Sequence, residues 1–154
     1  MALPIPTDPD QKKYLGLSGN RSFKITEIKT EVLVIEIYSM YCTVCQKDAP
    51  GINEMYRTIE SRPELKGRIK LIGIGAGNSV YEVEIYKKTF GVLFPLFPDR
   101  DFDIHNSLGE VRTPYFFGVK MEKDRPHRVV YSEEASFKEP NSFLQSIIEV
   151  SGLK

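Results

Sequence analysis

The apolar residues of this chain fall into a few continuous runs, separated by segments with helical spacing. Residues 31–39 and 68–75 are almost entirely apolar, which predicts two strands that are buried on both faces of a sheet. Between them, apolar positions three and four apart predict an amphipathic helix over residues 46–60. A strand, a helix and a second strand in this order predict a parallel crossover.

The second half of the chain adds a helix, a hairpin and a final helix. Ser79 and Gly91 are placed to cap the first of these helices. Residues 114–121 and 128–132 predict two antiparallel strands joined by a polar turn, and residues 140–150 predict the last amphipathic helix. The complete order predicts an α/β fold, with a central mixed β-sheet flanked by helices on both faces.

The first quarter of the chain is less regular. Residues 14–17 and 22–25 predict two short strands across a turn at Gly19-Asn20. Residues 1–13 are expected to form a Pro-rich leader, and they lack the basic region and apolar core of a signal peptide. We expect residues 1–154 to form a single domain, and no apolar run reaches the length of a membrane-spanning helix.

The charge of the chain is balanced. Lys and Arg total 21 residues, Asp and Glu total 21, and the formal net charge is zero. Such a balance provides no field that attracts nucleic acid or anionic lipid, and no basic stripe interleaved with aromatic residues is present. Nucleic-acid binding is therefore not expected.

The two cysteines of the chain, Cys42 and Cys45, stand where the first buried strand ends and the first helix begins. The N-terminus of a helix carries partial positive charge and unpaired N–H groups, and both stabilise a thiolate on Cys42. The thiolate is the attacking species in disulfide exchange. Cys45, one helical turn later, is placed to attack the resulting mixed disulfide and release the partner. The spacing therefore predicts a redox site that needs no cofactor besides the cysteine pair.

Three other interpretations of the pair remain open from the residues alone. A fixed structural disulfide would close a very small loop, which restrains the unfolded chain little. Half of a zinc site would need two further ligands, and His105 and His127 lack the spacing of a ligand pair. The third interpretation is two inert core thiols. No metal site is expected.

The chain resembles the thioredoxin fold and, more closely, the thiol–disulfide oxidoreductases of the ResA/TlpA type, from about residue 22 to the C-terminus. Besides Cys-x-x-Cys, four features at the family's positions carry the resemblance: Glu36 six residues before Cys42, Pro50 inside the predicted helix, Thr113-Pro114 before the hairpin, and the helix and strand within residues 79–103.

The resemblance implies roles for several of these residues. Glu36 would be a buried acid with a raised pKa that accepts the proton of Cys45. The Thr113–Pro114 bond would be cis and would expose the Thr113 backbone to an extended substrate peptide.

The segment around the cysteines departs from the family pattern. Tyr41 stands where relatives have tryptophan, and Thr43-Val44 between the cysteines lacks the common proline. Tyr41, Thr43 and Val44 are expected to contact the substrate, and the reduction potential cannot be carried over from relatives. No lysine follows the second strand to pair with Glu36.

Two further patterns have simple structural interpretations. Gly73-x-Gly75-x-Gly77 predicts a tight strand-to-helix turn. Six aromatic residues are expected to be mostly core, with some forming an apolar rim for protein substrates: Phe94, Phe97, Phe102, Tyr115, Phe116 and Phe117.

The function implied by the resemblance is reduction of disulfides in envelope proteins, such as apocytochromes awaiting haem. An upstream membrane thiol relay would supply the electrons, and the protein would lie in the bacterial periplasm or cell envelope, with its targeting segment absent from this sequence. Two alternatives are a peroxiredoxin-like peroxidase, although Ser39 stands where that motif has threonine, and a redox-inactive thioredoxin-like binding module.

Overall fold

The computed structural model describes residues 2–122, 127–134 and 139–153. In chain order its helices and strands are β1 (Ala2–Leu3), α1 (Pro9–Leu15), β2 (Phe23–Lys24), β3 (Val32–Tyr38), α2 (Thr43–Ser61), β4 (Ile69–Ala76), α3 (Val80–Phe90), β5 (Leu96–Asp99), α4 (Asp103–Ser107), β6 (Tyr115–Lys120), β7 (Arg128–Glu134) and α5 (Pro140–Ser151). The two long apolar strands and three amphipathic helices predicted from the sequence are all present. The polar turn predicted between β6 and β7 lies largely outside the described residues.

A five-stranded sheet in the order β5–β4–β3–β6–β7 forms the centre of the molecule. The central strand, β3, runs parallel to β4 and antiparallel to β6, so the sheet is mixed, as predicted. Every residue of β3 is buried. On one face Val34 packs into a core with the apolar side chains of α2 and α5, and on the other face Leu33 and Ile37 pack into a second core.

The N-terminal quarter differs from the prediction. Residues 14–17 do not form a strand, because α1 continues to Leu15 and ends at Gly16, which has a left-handed φ of 69°. The start and stop signals of a helix are nevertheless in the sequence: the Asp8 side chain accepts a hydrogen bond from the backbone N–H of Asp10, and Pro9 opens the first turn. The second predicted strand is only the two-residue β2, which pairs with β1.

Within residues 1–13, which the sequence predicts as a Pro-rich leader, Leu3 is fully buried in the second core. Leu3 and Leu15 are fully buried there together with Leu33 and Ile37 of the central strand. The Tyr14 hydroxyl accepts a hydrogen bond of 2.8 Å from the backbone N–H of Leu71 in β4. The N-terminal elements therefore cover one face of the sheet.

The boundaries of α3 follow the predicted capping residues. Ser79 caps the helix and forms a reciprocal pair of hydrogen bonds with Glu82, and Gly91 ends the helix in the left-handed conformation. Within the described residues, no helix is both long and apolar enough to cross a membrane.

We predict that Leu15→Ala lowers the free energy of unfolding by about 2–5 kcal/mol, because it leaves a cavity in the core that covers β3. Urea unfolding followed by circular dichroism measures the change. Lys13→Ala, an exposed change in the same helix, is the matched control and should shift stability by less than about 0.5 kcal/mol. Equal, small effects of both changes would mean that this segment is not part of the core.

Candidate active site

The topology brings three chain segments to one edge of the sheet. Ile37 of β3 pairs with Tyr115 of β6 in antiparallel register, and Tyr38 pairs with Gly75 of β4 in parallel register. The carboxyl ends of β3 and β4 therefore lie beside the amino end of β6. These ends lead into the Cys-x-x-Cys loop, the β4–α3 turn and the segment before Pro114, respectively.

The cysteine pair lies at the N-terminus of α2 and is a disulfide, with 5.2 Å between the two Cα atoms. Cys42 is the N-cap, and its Sγ accepts a hydrogen bond of 3.1 Å from the backbone N–H of Cys45. Cys42 is half-buried, whereas Cys45 is fully buried in the core. Cys42 is thus the more accessible of the two cysteines, and its sulfur is the one that faces the helix N-terminus. A nucleophile requires both properties.

Two side chains hold the loop that precedes Cys42. Asn78 Oδ1 accepts a hydrogen bond of 2.9 Å from the backbone N–H of Met40, and the Gln46 side chain donates to the Met40 carbonyl at 2.7 Å. The Tyr41 hydroxyl donates to the Glu82 carboxylate, which ties the loop to the first turn of α3. The sequence did not single out Asn78 as an anchor of the loop, because its partner lies 38 residues away.

Glu36 lies on β3 and is only 4% exposed, as the family resemblance implied. Among the described residues, its Oε2 atom has no hydrogen-bond partner. Burial, followed by the charge of Asp48, raises the pKa of Glu36 to about 8. The carboxyl group is therefore largely protonated at neutral pH.

Asp48 is a second buried carboxyl group that the sequence analysis missed. It lies in α2 three residues after Cys45 and is 7% exposed. The Tyr86 hydroxyl donates a 3.2 Å hydrogen bond to the Cys45 carbonyl, and burial, then the charges of Glu36 and Asp48, raise the pKa of this tyrosine. Both acids thus lie within electrostatic reach of a residue in contact with Cys45. The signal in the sequence was the position of Asp48 on the buried stripe of α2, one turn after Cys45.

The Thr113–Pro114 bond is cis, as predicted. Pro114 is buried, and Thr113 is half-buried and lines an open groove together with Tyr41. Thr43 and Val44, in the first turn of α2, are exposed beside Cys42. The structure therefore places the expected substrate-contacting residues at one edge of the sheet, and their roles stay predictions.

A groove lined by Ser39 and Tyr41 of the loop that precedes Cys42 has a volume of about 590 Å³. Its floor is residues 76–78 at the end of β4, and its walls include Tyr41, Phe102 and residues 111–113. The predicted turn at Gly73-x-Gly75-x-Gly77 is wrong for its first two glycines, because Gly73 and Gly75 lie inside β4. Gly77 follows the strand and turns the chain, with a φ of 70°.

The glycines inside β4 leave room for side chains that cross the sheet surface. A Cβ on Gly73 would lie 2.5 Å from Leu96 Cδ2, and one on Gly75 would lie 2.8 Å from Asn78 Oδ1 and 3.1 Å from the Tyr38 hydroxyl. Close approach, rather than turn formation, explains these two glycines.

The two histidines do not lie together with the cysteines in a ligand set. His105 Nε2 lies 2.7 Å from the Val111 carbonyl, and His127 Nδ1 accepts a hydrogen bond from the backbone N–H of Glu122. Within the described residues, no group of three or more His, Cys, Asp and Glu side chains is arranged to hold a metal ion.

We predict that Glu36 makes stability fall as the pH rises. Its pKa is about 8 in the folded protein and near 4.5 when exposed, so between these values the folded state keeps a proton that the unfolded state releases. The stability that this proton provides is fully present below about pH 4.5 and is lost as the pH rises through about 8.

Urea unfolding of the oxidised protein from pH 4.5 to 8.5 tests this linkage. Glu36→Gln should gain stability relative to the wild type across that window, by an amount on the order of a few kcal/mol. Glu54→Gln, an exposed change in α2, serves as the control and should show no such trend. If the difference in unfolding free energy between the wild type and Glu36→Gln does not change with pH, the pKa of Glu36 is not raised by burial.

The proteins to which this chain is similar include several named as thiol–disulfide oxidoreductases. No family model matches the chain. It is 23% identical over 97 residues to the thiol-disulfide oxidoreductase ResA of Geobacillus thermodenitrificans, which covers 63% of this chain and 53% of that protein. The ResA of Bacillus subtilis is 19% identical over 105 residues, 68% of this chain and 56% of that protein. The chain thus spans about half the length of the curated relatives that it matches.

Solved structures match over most of the chain. A Chlorobium tepidum protein described as a candidate thiol:disulfide interchange protein DsbE has a TM-score of 0.71 at 15% identity, covering 99% of this chain and 93% of that one. A secreted Mycobacterium tuberculosis disulfide oxidoreductase homologous to E. coli DsbE has a TM-score of 0.64 at 12% identity, covering 84% and 90%. The chain therefore has a thioredoxin-like fold and is similar in sequence to the ResA-type thiol–disulfide oxidoreductases.

Proposed function

We propose that this protein is a thiol–disulfide oxidoreductase that reduces disulfides in other proteins. The observation that carries the proposal is the Cys42–Cys45 disulfide at the N-terminus of α2, with the first sulfur accessible and the second fully buried. This arrangement gives the two thiols different tasks. The pair itself carries the two electrons, so the proposed reaction includes no further cofactor.

The reaction begins from the reduced pair. The Cys42 thiolate attacks one sulfur of a substrate disulfide, which forms a mixed disulfide and releases the other substrate sulfur as a thiolate that takes up a proton. Cys45 loses its proton and attacks Cys42 Sγ, which breaks the mixed disulfide and releases the second substrate thiolate. The products are the Cys42–Cys45 disulfide and a substrate dithiol, a transfer of two electrons.

Glu36 is the proposed proton acceptor for Cys45. A base works best when its pKa is close to that of the group it deprotonates, and an ordinary cysteine has a pKa of about 8.5. Burial brings the pKa of Glu36 to about 8, close to that of a thiol. When an external dithiol reduces the pair again, the protonated Glu36 would return the proton to the Cys45 thiolate.

The proposed partners and location rest on the resemblance to the ResA/TlpA-type oxidoreductases. We propose that the substrates are envelope proteins with cysteine pairs, including apocytochromes before haem attachment, and that an upstream thiol protein of the membrane re-reduces Cys42–Cys45. Placement outside the cytoplasm is supported by the similarity to a structure described as secreted.

Single cysteine substitutions test the proposal. Reduced Cys45→Ser, mixed with a protein that contains an accessible disulfide, should accumulate a covalent mixed disulfide through Cys42, because the resolving thiol is missing. Cys42→Ser is the matched control and should trap little or none, because Cys45 is buried. Non-reducing gel electrophoresis and intact-mass measurement detect the adduct.

The outcomes separate the proposal from its alternatives. Trapping by Cys45→Ser alone supports the assigned order of attack, and trapping by Cys42→Ser alone would reverse it. If neither variant is trapped and the wild-type pair does not respond to dithiothreitol or glutathione, a redox-inactive binding module becomes the better account. Rapid peroxide consumption without reaction with protein disulfides would favour a peroxidase.

A further inference from the structure

The exposed apolar side chains of the described residues are concentrated around the disulfide. Eight large apolar side chains are exposed, and three of them, Leu93, Val129 and Val150, lie on other surfaces. The remaining five are on the cysteine loop, in the first turns of α2 and α3, or immediately before α4: Tyr41, Val44, Val80, Tyr81 and Phe102. A cluster of this kind beside a reactive group indicates an interaction site.

Phe102 lines the groove and has a backbone conformation that is unfavourable for a bulky residue. Its φ is 62°, in the left-handed region that a bulky residue rarely adopts. Its ring lies against Gly77, where an added Cβ would be 2.3 Å from Phe102 Cζ, and the residue is still 47% exposed. Asp99 fixes the turn, because its carboxylate accepts hydrogen bonds from the backbone N–H groups of Ile104 and His105. The ring is therefore positioned before any partner arrives.

Arg112 gives the groove its charge. It is exposed in the segment before the cis proline and has no ion-pair partner among the described residues. The second basic side chain that lines the groove, His105, is hydrogen-bonded through Nε2 to the Val111 carbonyl. An unpaired guanidinium in a groove is complementary to a carboxylate, which it binds through two parallel N–H groups.

We propose that the groove selects an extended polypeptide segment whose cysteine lies beside an apolar, preferably aromatic, side chain and an acidic one. The apolar side chain packs on Phe102 and the acidic one pairs with Arg112, while the cysteine reaches Cys42. A volume of about 590 Å³ is in the range of sites that bury ligand groups. This inference rests on the proposed oxidoreductase function and adds a selectivity that the cysteine pair alone does not provide.

Short single-cysteine peptides linked through a disulfide to thionitrobenzoate test the selectivity. Four peptides place either Phe or Ser, and either Glu or Lys, next to the cysteine. The release of thionitrobenzoate by the reduced full-length protein gives second-order rate constants. We expect Glu to be favoured over Lys about three- to fivefold and Phe over Ser about two- to tenfold.

Two variants assign these preferences to their residues. Arg112→Glu should reverse the order of the Glu and Lys peptides, whereas Arg57→Glu makes the same charge change on an exposed part of α2 and should not. Phe102→Asn keeps a residue that tolerates the left-handed backbone and should remove the preference for Phe. An unchanged peptide order in both groove variants would overturn the proposal.

A neutral small disulfide separates this inference from the function on which it rests. Oxidised 2-mercaptoethanol offers neither an aromatic ring nor a charge, so its reduction measures the reactivity of the cysteine pair alone, and Arg57→Glu should reduce it at the wild-type rate. If the wild type reduces it but treats the four peptides alike, the groove selectivity is wrong and the oxidoreductase stands. If neither this disulfide nor any peptide reacts, the oxidoreductase function itself fails.

Discussion

The proposed chemistry of this protein depends on one buried carboxyl group. It belongs to Glu36 in β3, the central strand, which leads into the loop that carries the cysteines. Glu36 is paired in register with Gly73 of β4 on one side and with Phe116 of β6 on the other, and only 4% of the residue is exposed to water. Loss of hydration disfavours the charged form, and nearby Asp48 disfavours it further. The protein therefore keeps, at a cost in stability that grows as the pH rises from about 4.5 to about 8, a group whose proton affinity is close to that of a thiol.

The sheet topology turns this buried group into part of a site. Because β3 is antiparallel to β6 and parallel to β4, the cysteine loop, the segment before Pro114 and the β4–α3 turn meet at one edge. The helix that starts at this edge exposes one sulfur and buries the other. The different burial of the two cysteines is thus a consequence of where α2 begins, and the proposed difference in their tasks depends on it. The groove is lined by residues of the β4–α3 turn and α4 at the same edge.

The sequence predicted the features that depend on local pattern. Continuous apolar runs predicted β3 and β4, and the resemblance to the ResA/TlpA type predicted the burial of Glu36. Prediction failed where a role depends on tertiary partners. The turn at Gly19-Asn20 favours two flanking strands, whereas residues 14 and 15 belong to a helix with caps at Asp8 and Gly16. The buried position of Asp48 depends on the packing of α2. Asn78 contacts the backbone of Met40, and the ring of Phe102 lies against Gly77. In both pairs the partners are distant in sequence.

The rate at which the mixed disulfide resolves, followed from pH 6 to 9 in the wild type and in Glu36→Gln, tests the role of the buried carboxyl most directly. A rapid-quench experiment separates this step from the initial attack by Cys42. The account predicts a wild-type rate that rises with pH through about 8, in line with the pKa of Glu36, and a rate at pH 7 that is about 10²-fold lower in the variant. Resolution at the wild-type rate in Glu36→Gln at every pH would contradict it.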